Sequence, residues 1–104
     1  MRMFNITTTG ITTLIKKINS RKDIRKISKN IHKITISNNS PSNPATVSVQ
    51  IWDGSSIGYN IIGNMVIPNG TVLVLKDNLS YDFNSFDLRM EVTGTSPVLD
   101  VIIT

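Results

Sequence analysis

From residue 34 onward, apolar and polar residues alternate in the manner of half-buried β-strands. Segments 34–36, 47–51 and 88–92 are apolar at every second position, and this period of two puts one face of a strand on a core and the other in water. Segments 72–75 and 98–103 are apolar at nearly every position. We expect each of these to be a central strand, or a strand whose outer face is covered by a neighbouring subunit.

Turn-forming residues separate the strand segments at short intervals. Residues 38–44 form a polar loop with two prolines, 53–56 and 68–70 carry hairpin signals, and 94–97 turn the chain into its last strand. Six or seven short strands in about seventy residues predict an all-β fold. The expected architecture is a small antiparallel β-sandwich of jelly-roll or immunoglobulin-like type, with a basic N-terminal segment.

The first 33 residues are less regular. Segments 5–9 and 11–15 are rich in β-branched residues and predict an edge strand or a hairpin around Gly10. Residues 20–23 have the form of a helix capping box, but the following residues are mediocre helix formers, so we expect an irregular or weakly helical segment leading into a strand. The chain is interpreted as a single domain, with an N-terminal strand or arm and basic segment at 1–33 and a sandwich core at 34–104.

Charge is distributed unevenly along the chain. Residues 16–33 hold eight of the eleven Lys and Arg residues and one acid, for a net charge of +7, whereas residues 35–104 carry a net −4. Such a division favours a protein whose charge directs it to partners rather than one whose charge performs chemistry.

Several partners would suit the basic segment. Phosphate contacts would bind nucleic acid without sequence specificity, but no Phe, Tyr or Trp in 16–33 can stack on bases. Isoleucines at helical spacing suit a membrane surface, again without an aromatic anchor. Docking on an acidic protein surface is the third interpretation, and a solvated segment without a partner is equally favoured. The expected partner-binding residues are Lys16, Lys17, Arg21, Lys22, Arg25, Lys26, Lys29 and Trp52.

Trp52 is the sole tryptophan and stands beside the 53–56 turn. Its position in the alternating segment 47–51 places it on the outer face of the sheet or at the end of a strand. There it would serve as an interface or packing residue, and a carbohydrate platform is the less favoured alternative.

Catalytic and metal-binding chemistry finds little support. The chain has no cysteine, and its single histidine, His32, has no nearby carboxylate in the sequence to orient it as a general base. Asp77, Asn78, Asp82, Asn84 and Asp87 could hold a hard cation, but their spacing does not match a calcium loop and suits Asx turns. We therefore expect no enzymatic activity, no cofactor and no metal. The sequence also shows no apolar run of the length needed to span a bilayer and no signal-peptide core.

A succession of strand and turn motifs carries a resemblance to a known group of proteins. The motifs lie, in order, at residues 34–38, 47–54, 59–62, 66–75 and 99–103. Over roughly residues 30–104 the chain resembles small virion structural proteins of tailed bacteriophages, especially those of cyanobacteria. The resemblance implies a β-sandwich that assembles with other virion proteins.

This resemblance leads to a functional expectation. The chain is expected to be a non-enzymatic capsid decoration, or cement, protein that stabilises the phage head through protein–protein contacts. A neck, tail, baseplate or fibre component is the first alternative, and a basic nucleic-acid-binding module is the second. The expected partners are the major capsid protein or other virion proteins and further copies of the chain, for example in a trimer. Neither a membrane nor nucleic acid is the expected partner, and the expected location is the virion, assembled in the host cytoplasm.

Overall fold

The fold consists of β-strands joined by loops. In a computed structural model of the chain, the structure describes residues 2–16, 31–55, 57–76 and 86–104. These residues contain eight strands and no helix. The strands are β1 (Arg2–Ile6), β2 (Gly10–Ile15), β3 (Ile34–Asn38), β4 (Ala45–Trp52), β5 (Gly58–Ile67), β6 (Val72–Leu75), β7 (Asp87–Gly94) and β8 (Leu99–Ile103).

The eight strands form two antiparallel sheets of four strands each. Sheet A has the order β1-β8-β3-β6, and sheet B has the order β2-β7-β4-β5. Inward-facing side chains from both sheets make one hydrophobic core. The prediction of an all-β antiparallel sandwich is therefore confirmed.

The strand pairing is nested. The first strand pairs with the last, β2 with β7, β3 with β6, and β4 with β5. The chain thus behaves as one long hairpin, folded at the β4–β5 turn and rolled so that successive pairs fall in alternate sheets. Of the two predicted sandwich types, this is the eight-stranded jelly roll rather than the immunoglobulin-like arrangement.

Alternation of apolar and polar residues explains the core. In β7, Leu88, Met90 and Val92 are buried while the residues between them are half-buried on the outer face, as a period of two requires. The core cluster consists of Ile6, Leu14, Ile15, Ile31, Ile34, Ile36, Ala45, Val47, Val49, Ile67, Leu88, Met90, Val92, Leu99, Val101 and Ile103.

Strand β5 pairs irregularly with β4. The register shifts twice along the pair, between Val47 and Val49 and again between Val49 and Gln50. At the first shift the Asn64 N–H donates to Ser48 Oγ over 2.9 Å, and Asn64 takes a positive φ of 49°. Because bulges bend a strand and interrupt its ladder, β5 is a kinked edge of sheet B.

Asn38, at the end of β3, joins the two sheets through its side chain. It is buried, and its Nδ2 donates to Ile67 O on β5 over 2.8 Å and to Asn43 O over 3.0 Å. Its Oδ1 accepts from the Ser40 N–H over 3.0 Å. The side chain therefore fixes the predicted 38–44 loop and connects it to the opposite sheet.

The predicted turns are confirmed in position but only partly in kind. The β4–β5 hairpin closes between Asp53 and Ile57, where Asp53 Oδ1 accepts from the N–H groups of Ser55 and Ile57. The turn at Pro68 is present, with a Thr71 N–H to Pro68 O bond of 3.3 Å. It is not a hairpin turn, because it carries the chain from β5 in sheet B to β6 in sheet A.

The N-terminal strands differ from one of the two predicted arrangements. β1 and β2 are edge strands, as one interpretation held, but they lie in different sheets, so a hairpin around Gly10 is wrong. The sandwich therefore includes strands from residues 2–15 as well as from 34–104. The choice between an irregular and a helical basic segment falls on residues 17–30, which lie outside the described residues.

The two continuous apolar segments have different positions. β8 lies between β1 and β3 and is a central strand, whereas β6 is an edge strand of sheet A. Val72 and Val74 of β6 are exposed. Because β6 is an edge strand, a central position in the sheet does not explain its apolar outer face.

Candidate binding surfaces

An apolar row crosses the outer face of sheet A. The strand registers place Met3 beside Ile102, Ile102 beside Thr35, and Thr35 beside Val74. Met3 is 71% exposed and Val74 is 41% exposed. We refer to these four residues as the apolar row. Three of its four side chains are apolar, on a face that a solvated sheet would cover with polar residues.

A more polar row runs beside it. Asn5, Asp100 and Ser37 lie next to one another across β1, β8 and β3. The Asp100 carboxylate accepts from Asn5 Nδ2 over 2.8 Å and from Asn39 Nδ2 over 2.6 Å. Two amides thus hold the only acid on this face among the described residues, and they fix it beside the apolar row.

A shallow open depression lies over the paired strands β1 and β8. It measures about 340 Å³. Its lining consists of Met3, Phe4, Asn5, Asp100, Val101 and Ile102. The depression lies along the apolar row, and a protruding apolar side chain of a partner would fit into it.

The outer face of sheet B carries a stacked and hydrogen-bonded cluster around Trp52. The Arg89 guanidinium lies over the Trp52 ring, with Cζ 3.8 Å from the ring centroid. Arg89 Nε donates to Gln50 Oε1 over 2.9 Å, and Gln50 Nε2 donates to Asn60 Oδ1 over 2.7 Å. Period-two alternation in β4 and β7 brings these residues to one face, because Gln50 pairs with Arg89 and also with Asn60.

Gly58 allows the Trp52 ring to lie close to β5. It is the direct partner of Trp52, and a Cβ at this position would meet Trp52 Cε3 at 3.3 Å. The ring is therefore partly covered by its own strand neighbours and by Arg89. Trp52 is half-buried at the end of β4, so it is a packed residue on the outer face rather than a bare aromatic platform.

The basic segment begins at the same end of sheet B that holds Trp52. β2 ends at Ile15, opposite Leu88, and the neighbouring pair is Trp52 with Asp87. Lys16 follows directly and is exposed. The structure therefore brings two of the predicted partner-binding residues, Lys16 and Trp52, to one end of one sheet. The other six, Lys17, Arg21, Lys22, Arg25, Lys26 and Lys29, lie outside the described residues.

The candidates for chemistry are reported by position. His32 is exposed, and its backbone N–H donates to Thr104 O over 2.9 Å. Within the described ranges, no three His, Cys, Asp or Glu side chains come together as a metal site would require. Of the oxygen-rich stretch, only Asp87 is described, at the start of β7. The described residues contain no helix that is long and apolar enough to cross a membrane.

Sequence reasoning missed the contribution of three residues to these surfaces. Met3 is not among the predicted partner-binding residues, although it lies just before the predicted strand segment at 5–9. Arg89 and Gln50 each stand at a polar position of a predicted strand. Their meeting with Trp52 depends on strand registers that alternation alone does not provide.

Comparisons with known proteins add no functional information. No protein-family model matches the chain, and no curated protein matches it. A solved structure with similarity is the Anabaena sensory rhodopsin transducer, which is 10% identical, with 99% of this chain and 95% of that chain covered and a TM-score of 0.45. At this level the likeness carries no argument, and the jelly-roll assignment depends on the strand order of the chain itself.

Proposed function

We propose that this chain is a non-enzymatic structural protein of a bacteriophage virion, and specifically a capsid decoration protein that binds the head through protein–protein contacts. The observation that carries the proposal is the apolar row on the outer face of sheet A. The succession of motifs that resembles small virion proteins of tailed phages supports the same role. In this proposal the protein joins the virion in the host cytoplasm.

The apolar row supports docking on a protein surface. Contiguous exposed apolar residues, flanked by polar ones, are typical of interaction sites, and here the fixed polar side chains of Asn5 and Asp100 border the row. Burial of an exposed methionine contributes about 1.5–3 kcal/mol. Contact with Met3 alone would therefore account for roughly a tenfold or larger change in affinity.

The basic segment supports attraction to an acidic shell. Its first residue, Lys16, is exposed at the end of sheet B that holds Trp52, and charge of one sign speeds encounter with an oppositely charged surface. If copies associate, for example as a trimer, each would add a modest contact. The linked contacts would then bind far more tightly than one copy, because the effective concentration is high.

A binding experiment on assembled capsids tests the proposal. The purified protein should bind capsids that lack it at low salt and raise their melting temperature. Met3→Lys should weaken binding by about tenfold or more, while Ile11→Lys, an equally conspicuous exposed apolar residue on sheet B, should not. Absence of binding together with unchanged capsid melting would refute the proposal.

The basic segment is tested by replacing Lys22, Arg25, Lys26 and Lys29 with Ser. The variant should bind capsids more weakly at low salt and differ less from the wild type at high salt, where charges are screened. A parallel titration with DNA separates the alternative role. Log-linear loss of DNA affinity with salt, without capsid binding, would make the chain a nucleic-acid-binding module instead.

Location in the particle distinguishes the remaining alternatives. Cryo-electron microscopy of purified particles, with copy number measured by quantitative mass spectrometry, should find many symmetry-related copies on the outer shell. A ring or fibre at one vertex, with few copies, would move the protein to the neck, tail, baseplate or fibre and overturn the decoration role.

A further inference from the structure

The backbone of β6 directs half of its hydrogen-bonding groups away from the sheet. On either side of β3, Lys33 exchanges backbone bonds with Thr104 and Asn39 donates to Val98 O, so the odd-numbered residues of this segment bond to β8. Asn38 N–H donates to Thr71 O, so the even-numbered residues bond to β6. Antiparallel pairing alternates between bonded and non-bonded pairs. The N–H and C=O groups of Val72 and Val74 therefore point away from β3.

β6 has neither the bulges nor the charged residue found at the other sheet edges. β5 is interrupted by two register shifts and β2 by one, and β1 begins with a charged residue, Arg2. β6 pairs with β3 without a shift and consists only of Val and Leu. Bulges and charges are the usual means by which proteins prevent strands from pairing at an edge. Among the described residues, no strand pairs with the outer edge of β6.

The strand is also complementary to itself. Residues directly opposite one another in an antiparallel pair lie on the same face, so two copies related by a two-fold axis must be centred on a residue. Centring on Leu73 places Val72 against Val74 of the partner subunit and satisfies four outward backbone groups on each strand. Centring on Val74 would instead place Val72 against Lys76 of the partner subunit. The first register makes only apolar pairs, which stabilise a sheet.

We propose that β6 is a self-association edge, through which two copies pair about a two-fold axis at Leu73 and join two A sheets into one continuous sheet. The inference does not rest on the proposed function. The pairing is confined to the four residues of β6, about 13 Å of sheet edge, and with a thickness of about 10 Å it presents roughly 130 Å² per copy. This is well below the ~800 Å² per partner of stable complexes, so the dimer is weak and forms with micromolar or weaker affinity.

Cysteine cross-linking tests the register, because the chain contains no cysteine. In Leu73→Cys the two Cα atoms would be about 4.5 Å apart across the axis, within disulfide range. In Val74→Cys they would be diagonal neighbours at about 7–8 Å, beyond that range. Under mild oxidation, Leu73→Cys should form covalent dimers at least about tenfold faster than Val74→Cys. Equal rates, a faster Val74→Cys or no dimer from Leu73→Cys would overturn the proposal.

A second measurement uses no cysteine. Sedimentation velocity should show concentration-dependent dimers of the wild type, which Val72→Lys weakens by at least about tenfold because the introduced charge meets an apolar partner. Val66→Lys is the matched control, since Val66 is as exposed as Val72 but lies on sheet B. A wild type that stays monomeric up to roughly 1 mM would overturn the proposal. Trp52 fluorescence confirms that each variant is folded, and capsid binding is measured separately.

Discussion

Replacement of Asn38 by Leu should destabilise the protein strongly, although the two side chains are similar in size. The substitution removes three hydrogen bonds, to Ile67 O, Asn43 O and the Ser40 N–H. Each such bond contributes about 0.5–1.5 kcal/mol. The Ile67 carbonyl is also left buried without this partner. A loss of about 3–4 kcal/mol in the free energy of unfolding follows.

Urea denaturation followed by Trp52 fluorescence measures this loss. For a domain of this size, about 3 kcal/mol also lowers the Tm by roughly 15 °C. Asn69→Ala is the control, because Asn69 is exposed and its 3.4 Å bond to Pro41 O is long. It should change the stability by less than about 0.5 kcal/mol. A loss below about 1 kcal/mol in Asn38→Leu would refute the assignment of Asn38 as the link between the sheets.

Asn38→Asp tests the direction in which the stability of the variant depends on pH. The introduced carboxyl would face the Asn43 and Ile67 carbonyl oxygens, which disfavour its ionised form and raise its pKa on folding. A group with a raised folded-state pKa favours the folded state below its unfolded value and loses that contribution as pH rises through the folded value. The deficit of Asn38→Asp relative to the wild type should therefore shrink between neutral and acidic pH. A deficit that grows as pH falls would contradict the geometry.

Two further predictions concern the outer face of sheet B and a turn. Arg89→Ala should shift the fluorescence emission of Trp52 and lower the free energy of unfolding by about 1–2 kcal/mol, because it removes the stacked guanidinium and its bond to Gln50. Arg2→Ala should do neither. An unchanged spectrum in Arg89→Ala would mean that the stacking is absent in solution. Gly94→Ala should lower the free energy of unfolding, measured in urea, more than Gly10→Ala does. Both glycines have positive φ, but only at Gly94 would a Cβ meet backbone, at 3.0 Å from Pro44 O. Equal losses would contradict this close approach.

The sequence predicts most of the strands and little of their partnership. Alternation identified β4 and β7 because each buries one face, and the turn residues at 53–56 and 94–97 marked real connections. The turn at Pro68 was assigned to a hairpin, since its local chemistry is the same whether the chain stays in one sheet or crosses to the other. The crossing is decided by long-range bonds of Asn38, which local patterns do not contain.

The candidate surfaces were predicted to different extents. Trp52 was expected at a strand end or on the outer face, and it occupies both positions. The apolar segment 72–75 predicts a central strand or one covered by a neighbouring subunit. The first is wrong, because β6 is an edge strand, and the second stays a prediction. The apolar row could not be predicted, because Met3, Ile102 and Val74 are far apart in the sequence and meet only through registers on either side of β8 and β3.

The nested pairing limits how the protein can fold during its synthesis on the ribosome. Arg2 pairs with Ile103, 101 residues later in the chain, and β2 must wait for β7. At about 5–20 residues per second, the first two strands remain without their partners for several seconds while the remainder is synthesised. Such distant contacts also make folding slow. Neither sheet can therefore close before β7 and β8, which lie within residues 87–103, have been synthesised.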